Sequence, residues 1–165
     1  MNKPTFEIRS AKSADLPAMH DVREEAFAPI FASFRAMIDP SSAQAIYEGA
    51  ENAQGDYLDS IWPPTAVRPI LVATVANDVI GFCAYAMDTA KKLGTIDLNA
   101  VHPSHAGQGI GTALYQRALD DMKAQGMQAA QVGTGGDPSH APARRAYAKV
   151  GLKNSIPSIL LCKAL

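Results

Sequence analysis

The stretch Ile96-Asp97-Leu98-Asn99-Ala100-Val101-His102-Pro103-Ser104-His105-Ala106-Gly107-Gln108-Gly109-Ile110-Gly111-Thr112-Ala113-Leu114 decides the fold. A β-rich run ends at Pro103, and glycines at alternate positions then open a helix. Glycine lets a ligand approach the backbone closely, and the first N–H groups of a helix have no intrahelical partner. Together with the positive end of the helix dipole, those donors make an anion site suited to a phosphate or pyrophosphate. The segment therefore points to a phosphorylated cofactor.

Two common phosphate motifs are excluded. The P-loop pattern G-x-x-x-x-G-K-[ST] is absent, and no lysine follows the glycines. Gly107 and Gly109 fit the first two positions of G-x-G-x-x-G, but Thr112 stands at the third. The segment instead resembles the acyl-CoA-binding motif of the GNAT N-acetyltransferase family, [Q/R]-x-x-G-x-[G/A]. Gly109-Ile110-Gly111 fills its end, and Val101-His102-Pro103 is the usual lead-in. The Gln/Arg position falls on Ala106. Losing one charge-assisted hydrogen bond of roughly 1.5–3 kcal/mol lowers cofactor affinity about ten- to a hundred-fold and leaves the backbone cradle intact.

A second stretch, His140-Ala141-Pro142-Ala143-Arg144-Arg145-Ala146-Tyr147-Ala148-Lys149-Val150-Gly151-Leu152, resembles the family's C-terminal signature N-x-x-A-x-x-x-Y-x-K-x-G-F. Tyr147, Lys149 and Gly151 match in register, while His140 replaces the asparagine and Leu152 the phenylalanine. The resemblance is clear over 96–153, fair over the preceding hairpin and first helix, and absent from 29–64. It implies two parallel strands, Gly94–Val101 and Gln128–Val132, that splay to admit the pantetheine arm. It puts the thioester near Asn99, Ala100 and Val101, and the pyrophosphate on the amides of Gly107, Gln108, Gly109, Ile110, Gly111 and Thr112. Ala106, His140 and Tyr147 complete the implied cofactor contacts. Acetyl-CoA is the implied cosubstrate, with no metal.

The chemistry implied is transfer of an acetyl group to a primary amine of a small molecule or peptide, by direct attack in a ternary complex. Tyr147 stands where the family's general acid protonates the departing thiolate; core packing is its other reading. Asp97 lies four residues before Val101, where the family often places a carboxylate, so it is either the base or a hydrogen-bonded sheet residue. His140 is the other candidate base, because imidazole titrates in the useful range, or it caps the helix that begins beside it. A non-catalytic acyl-CoA-binding or sensing domain is the alternative, and a different phosphate-ligand binder a third. The pair His102-x-x-His105 lacks the helical H-E-x-x-H pattern of a metal site. Arg144, Arg145 and Lys149 read as a solvated helix face.

Composition sets the frame. The chain has 165 residues, 47% hydrophobic and 19% charged, as ordinary globular domains do. That length suits one domain spanning 1–165, with Pro29–Pro64 as a helical insertion that supplies the acceptor site. A net charge of −1 argues against nucleic acid as a partner. The run Met1–Glu7 lacks the apolar core of a signal peptide, and Ile70–Met87 is broken by Asn77-Asp78, so a cytoplasmic protein with no membrane partner is expected. Cys83 and Cys162 sit in apolar runs and read as buried thiols of a reducing compartment. Homodimerisation, common in the family, is left open.

Pattern and punctuation give the order of elements. Phe6–Arg9 alternates as a strand. Ser13 caps a helix with Pro17 in its first turn and Leu16, Met19, His20, Val22 and Phe27 on a rough apolar face. Two helices separated near Asp39-Pro40-Ser41-Ser42 lead to the stop at Trp62-Pro63-Pro64. A hairpin over 69–86 turns at Asn77-Asp78. Strand Gly94–Val101, a helix ending at Gly126, strand Gln128–Val132, helix Ala141–Val150 and strand Ile156–Leu165 follow. The predicted fold class is α/β, a mixed and mostly antiparallel sheet with helices on both faces. Glu48, Glu51, Asp56 and Asp59 give the insertion an acidic bias that suits a cationic acceptor or an exposed face. Phe34 and Trp62 line a pocket or fill the core.

Overall fold

A computed structural model describes residues 5–165; Met1–Pro4, on which the signal-peptide reading partly rests, lie outside the described residues. Five strands form one sheet in chain order: β1 (Glu7–Ser10), β2 (Ile70–Val75), β3 (Asp78–Asp88), β4 (Leu93–Val101) and β5 (Ala129–Val132). The first three pairings are antiparallel, and β4 with β5 is parallel. Helices α1 (Leu16–Ala36), α2 (Pro40–Tyr47) and α3 (Ala50–Ser60) connect β1 to β2. Helix α4 (Ile110–Ala124) connects β4 to β5, and α5 (Ala141–Lys149) follows β5. The mixed sheet covered on both faces is the expected architecture.

The continuous apolar runs of β2 and β3 follow from burial on both faces. Ile70, Val72, Phe82 and Ala84 join Met19 and Val22 of α1 and Leu58 of α3 in one core. Their neighbours Leu71, Ala73, Cys83 and Tyr85 join Ile110, Leu114, Ala118 and Met122 of α4 in the other. Gly94 lets α4 sit close, since a β-carbon there would lie 2.3 Å from the Met122 sulfur.

Several expectations shift. The β2–β3 turn is Ala76-Asn77, at φ 49° and 76°, not Asn77-Asp78. A two-residue hairpin of this hand needs positive φ at both positions, and Asp78 is already paired with Val75. Ser13 makes no cap: Ser13–Asp15 is one turn of 3-10 helix, with no hydrogen bond from a capping side chain. Asp15 takes over, its carboxylate accepting from the Lys12 amide at 2.6 Å and from the Arg9 guanidinium at 2.6 and 2.9 Å. That partner comes from β1, so sequence spacing could not reveal it. Helix α1 continues through Pro29 to Ala36, where the bidentate Arg35–Glu51 pair (2.6 and 2.7 Å) and buried Phe31 hold its last turns. The break at Asp39-Pro40 is as read, with the Asp39 side chain accepting from the Ser42 amide at 3.0 Å.

The largest departure is at 156–165, which forms no strand. Strand-like composition makes a strand only where a paired edge satisfies the backbone, and this segment lies along none. Cys162 is consequently exposed rather than buried, whereas Cys83 is buried.

Candidate active site

β4 and β5 pair only from Leu93↔Ala129 to Ile96↔Val132. Past that point β4 stays paired with β3 on one edge but has no strand on its β5 side up to Val101, and a cavity of about 520 Å³ opens between β4 and the chain beyond β5. Asp97 to Val101 form one wall, with Gly133 and Thr134 after β5 opposite. Phe27 and Ile30 of α1 and Tyr147 of α5 complete the lining. The predicted splay is therefore present.

A β-bulge shapes the β4 wall. The register with β3 slips between Cys83↔Asn99 and Tyr85↔Ile96, so Asp97 and Leu98 share the space of one residue. Ile96 and Leu98 consequently belong to different cores, although alternation alone would put them on one face. Asp97 turns toward α3, where the Tyr57 hydroxyl donates to its carboxylate at 2.5 Å and Arg68 stands 3.9 Å away. Its backbone carbonyl accepts from the Asn99 side chain at 2.8 Å.

Asn99 joins two tyrosine hydroxyls and the Asp97 backbone carbonyl into one network. Its Nδ2 donates to the Tyr147 hydroxyl at 3.1 Å, and its Oδ1 accepts from the Tyr115 hydroxyl at 2.6 Å. The two tyrosine rings lie 4.6 Å apart, tilted by 35°. Burial pushes the Tyr147 hydroxyl above the ordinary tyrosine range, only partly offset by its hydrogen bonds to Asn99 and Tyr115. Tyr147 is thus buried in the core and also faces the cavity, so its two sequence readings are compatible: the ring packs while the hydroxyl is held by polar partners.

His140 precedes α5 and caps nothing with its side chain. Its Nδ1 is hydrogen-bonded to Asp137 at 2.7 Å, and its ring stacks on Phe34 with centroids 5.5 Å apart. Tyr47 stacks on Phe34 in turn, 5.6 Å away. This stack ties the α1–α2 corner to the loop before α5. Asp137 is held below the ordinary carboxylate range by Ser139, His140 and the Ser139 amide, against the cost of its own burial. Arg144 is no solvated surface group: it donates to the carbonyls of Gly135 and Asp137. Arg145 and Lys149 line the cavity.

The glycine loop has the form a phosphate needs. Gly107 and Gly109 have φ of 76° and 85°, and a β-carbon on either would meet nothing within 4 Å. Gly109 is the N-cap of α4 and leaves its first amides without a side-chain cap. The ring Nδ1 of His105 is buried without a hydrogen-bond partner. An uncapped helix start, open space before it and a strand edge left free on the β5 side fit a pyrophosphate followed by an amide-bearing arm. Of the predicted residues, Asp97, Asn99, Ala100, Val101, Ala106, Gly107, Gly109, Ile110, Gly111, Thr112, His140 and Tyr147 line the cavity; Gln108 does not.

Sequence reading missed Tyr115, Tyr57, Asp137 and the α1 residues Phe27 and Ile30 as parts of this site. Tyr115 follows Leu114 on the core face of α4, where a hydroxyl asks for a partner; the others are brought in by tertiary contacts. The acidic residues of the insertion do not line the cavity: Glu51 pairs with Arg35, and Asp59 accepts from His20 at 3.0 Å. Trp62 packs against the α1–α3 core. Among the described residues no group of three His, Cys, Asp or Glu comes together to hold a metal, and no helix is long and apolar enough to cross a membrane.

With this geometry in view, comparison with known proteins is informative. Among curated proteins no sequence match is found. Solved structures match well at low identity. A GNAT family acetyltransferase from Brucella melitensis in complex with acetyl-CoA is 20% identical, with a TM-score of 0.62, covering 90% of this chain and 82% of that one. The ribosomal-protein-S18-alanine N-acetyltransferase of Escherichia coli is 18% identical, with a TM-score of 0.63 over 89% and 77%. An aminoglycoside N-acetyltransferase in complex with CoA is 14% identical, with a TM-score of 0.65 over 98% and 96%. The family model described as the acetyltransferase (GNAT) family matches residues 39–152, reaching into the insertion where the motifs carry no resemblance. The chain belongs to the acetyltransferase (GNAT) family.

Proposed function

We propose that this protein acetylates a primary amine with acetyl-CoA as donor, by direct attack of the amine within a ternary complex. The observation that carries the reading is that Asp97 and Tyr147 line one cavity along the β5-side edge of β4, with Asn99 bridging the Tyr147 hydroxyl and the Asp97 backbone carbonyl. A carboxylate and a buried phenol thus share one cavity, a proton acceptor and a proton donor for the two halves of the reaction.

The α4 amides and the open glycine turn bind the pyrophosphate, and the free β5-side edge of β4 from Asn99 to Val101 holds the amide-bearing arm. When bound, acetyl-CoA supplies a thioester whose carbonyl carbon is the electrophile. The acceptor arrives as an ammonium, and Asp97 takes its proton directly or through water. The amine nitrogen then bonds to the carbonyl carbon as the carbon–sulfur bond breaks. Tyr147, still protonated because burial raises its pKa, gives its hydroxyl proton to the departing sulfur. Tyr57 and Arg68 keep Asp97 oriented. His140, with Nδ1 engaged by Asp137, acts as a wall of the cofactor channel. The 29–64 stretch contributes on the acceptor side through Ile30 and through Tyr57 on Asp97.

The test combines ligand binding with turnover. Acetyl-CoA and CoA should raise the melting temperature by mass action while ATP and NAD do not. A panel of amines should then elicit thiol release from acetyl-CoA, with an acetylated amine found by mass. Stabilisation by CoA with no turnover on any amine would favour the non-catalytic reading, and no stabilisation at all would remove both.

A further inference from the structure

The acceptor end of the cavity sets one anionic group in an apolar wall. Among the described residues Asp97 is the single carboxylate that lines the cavity, and the cations Arg145 and Lys149 outnumber it there. Beside Asp97 the wall is Leu98 of β4 with Ala26, Phe27 and Ile30 of α1. None of these four side chains carries a hydrogen-bonding group. The neighbouring acids of α1 do not alter this. Glu24 is engaged by the Arg23 guanidinium at 2.9 Å, and Glu25 falls about 100° or more around the helix from all three lining residues.

Asp97 itself has room for one ammonium. Its Oδ2 accepts from the Tyr57 hydroxyl and faces Arg68, whereas Oδ1 carries no hydrogen bond and the side chain is 25% exposed. Arg68, 3.9 Å from the carboxylate, repels any second cation brought near the first. An ammonium placed against Phe27, Ile30 and Leu98 loses water and finds no partner, which is unfavourable. Methylene or aromatic groups gain by leaving water at the same place.

We propose that the acceptor is a small primary amine with a single positive charge on an apolar body, which excludes polyamines and amino sugars. The inference rests on the acetyl-transfer reading and adds the class of amine to it. The nitrogen meets Asp97 Oδ1, and the body lies along Leu98 and the α1 face. That pose turns the amine toward Asn99, Ala100 and Val101, the stretch of β4 expected to hold the thioester. A hydroxyl on the body is disfavoured for the same reason as a charge, since the wall leaves it unpaired.

The test compares matched amines on the full chain with acetyl-CoA, reading thiol release as kcat/KM. Pentylamine and putrescine have the same length and differ by a terminal methyl against an ammonium. Pentylamine should be favoured by more than about tenfold, although putrescine offers two reactive ends. Propylamine should likewise exceed ethanolamine, which has a hydroxyl in place of the methyl. Ile30 is half-buried, and Ile30→Asp adds a second carboxylate to the wall. In a variant that melts cooperatively, the preference should turn toward putrescine. The parent comparison stands without the variant. Thiol release from no amine at all refutes acetyl transfer, and the class of amine is then read from calorimetric binding of pentylamine and putrescine to the CoA-loaded protein. Turnover of putrescine equal to or above that of pentylamine overturns this inference and leaves acetyl transfer standing. The same order in calorimetric binding overturns it too, as does a failure to bind or acetylate either amine, or a folded Ile30→Asp variant that keeps the parent's preference.

Discussion

Tyr147→Phe separates the chemistry from the packing. The substitution removes one hydroxyl and keeps the ring that stacks against Tyr115. The remaining network stays satisfied: Asn99 Nδ2 still donates to the Asp97 carbonyl at 2.8 Å, and Asn99 Oδ1 still accepts from Tyr115 at 2.6 Å. The stability cost is therefore that of one ordinary hydrogen bond, about 0.5–1.5 kcal/mol, which lowers the melting temperature by a few degrees. The kinetic cost is of another size. A positioned general acid contributes about 10²–10⁴-fold, and each tenfold corresponds to about 1.4 kcal/mol of transition-state stabilisation. Thiol release followed at saturating amine should show kcat reduced well over tenfold, with KM for acetyl-CoA little changed. The sign of the pKa shift adds a check. Because burial raises the Tyr147 pKa, the acid form persists beyond the ordinary tyrosine value of about 10. The parent should show no alkaline loss of kcat from this group below that pH. A folded Tyr147→Phe variant with unchanged kcat would refute the assignment.

Three further outcomes are expected. Asp97→Asn should abolish the acidic limb of the pH–rate profile while His140→Gln keeps it and weakens CoA binding; the opposite pattern in rate measurements would make His140 the base. Asp15→Asn should cost about 1–3 kcal/mol in urea denaturation at neutral pH, since it breaks a charge-assisted pair between a buried Asp15 and a largely covered Arg9. The Arg9 guanidinium holds the Asp15 carboxyl below its ordinary value, so this contribution is present above that value and fades as pH falls through the lowered pKa. The difference from parent should thus shrink in acid. Gly109→Ala places a side chain at φ 85° and should cost roughly 1–2 kcal/mol in stability; calorimetry should show CoA affinity falling further than that strain explains, because the methyl stands at the mouth of the anion site.

How much of this was legible beforehand depends on the range of the interaction involved. The glycine loop and the α4 start follow from local signals, positive-φ glycines, a proline stop and an apolar run at helical spacing, whereas the parallel β4–β5 pair was implied by the family resemblance. Tyr147 was legible as a ring in register with a motif, but its environment was not, because Tyr115 and Asn99 reach it from 32 and 48 positions away in sequence. Ser13 misled because capping rules weigh neighbours in sequence, and Asp15 had a better partner across the fold in Arg9. The acidic residues of the insertion mostly form the exposed face that was one of their two readings, but their pairing with Arg35 and His20 was not visible in the sequence.

The amino-acid order alone determined most of the elements, their sequence along the chain and the open glycine turn before the uncapped start of α4, since backbone conformation and helix termini are set by a few adjacent residues. Tertiary structure alone decided which face Asp97 presents, what the Tyr147 hydroxyl touches, and that 156–165 remains without a strand partner. Those outcomes depend on a one-residue bulge, on burial and on edges supplied by distant segments, and such contacts form only when the whole sheet is assembled.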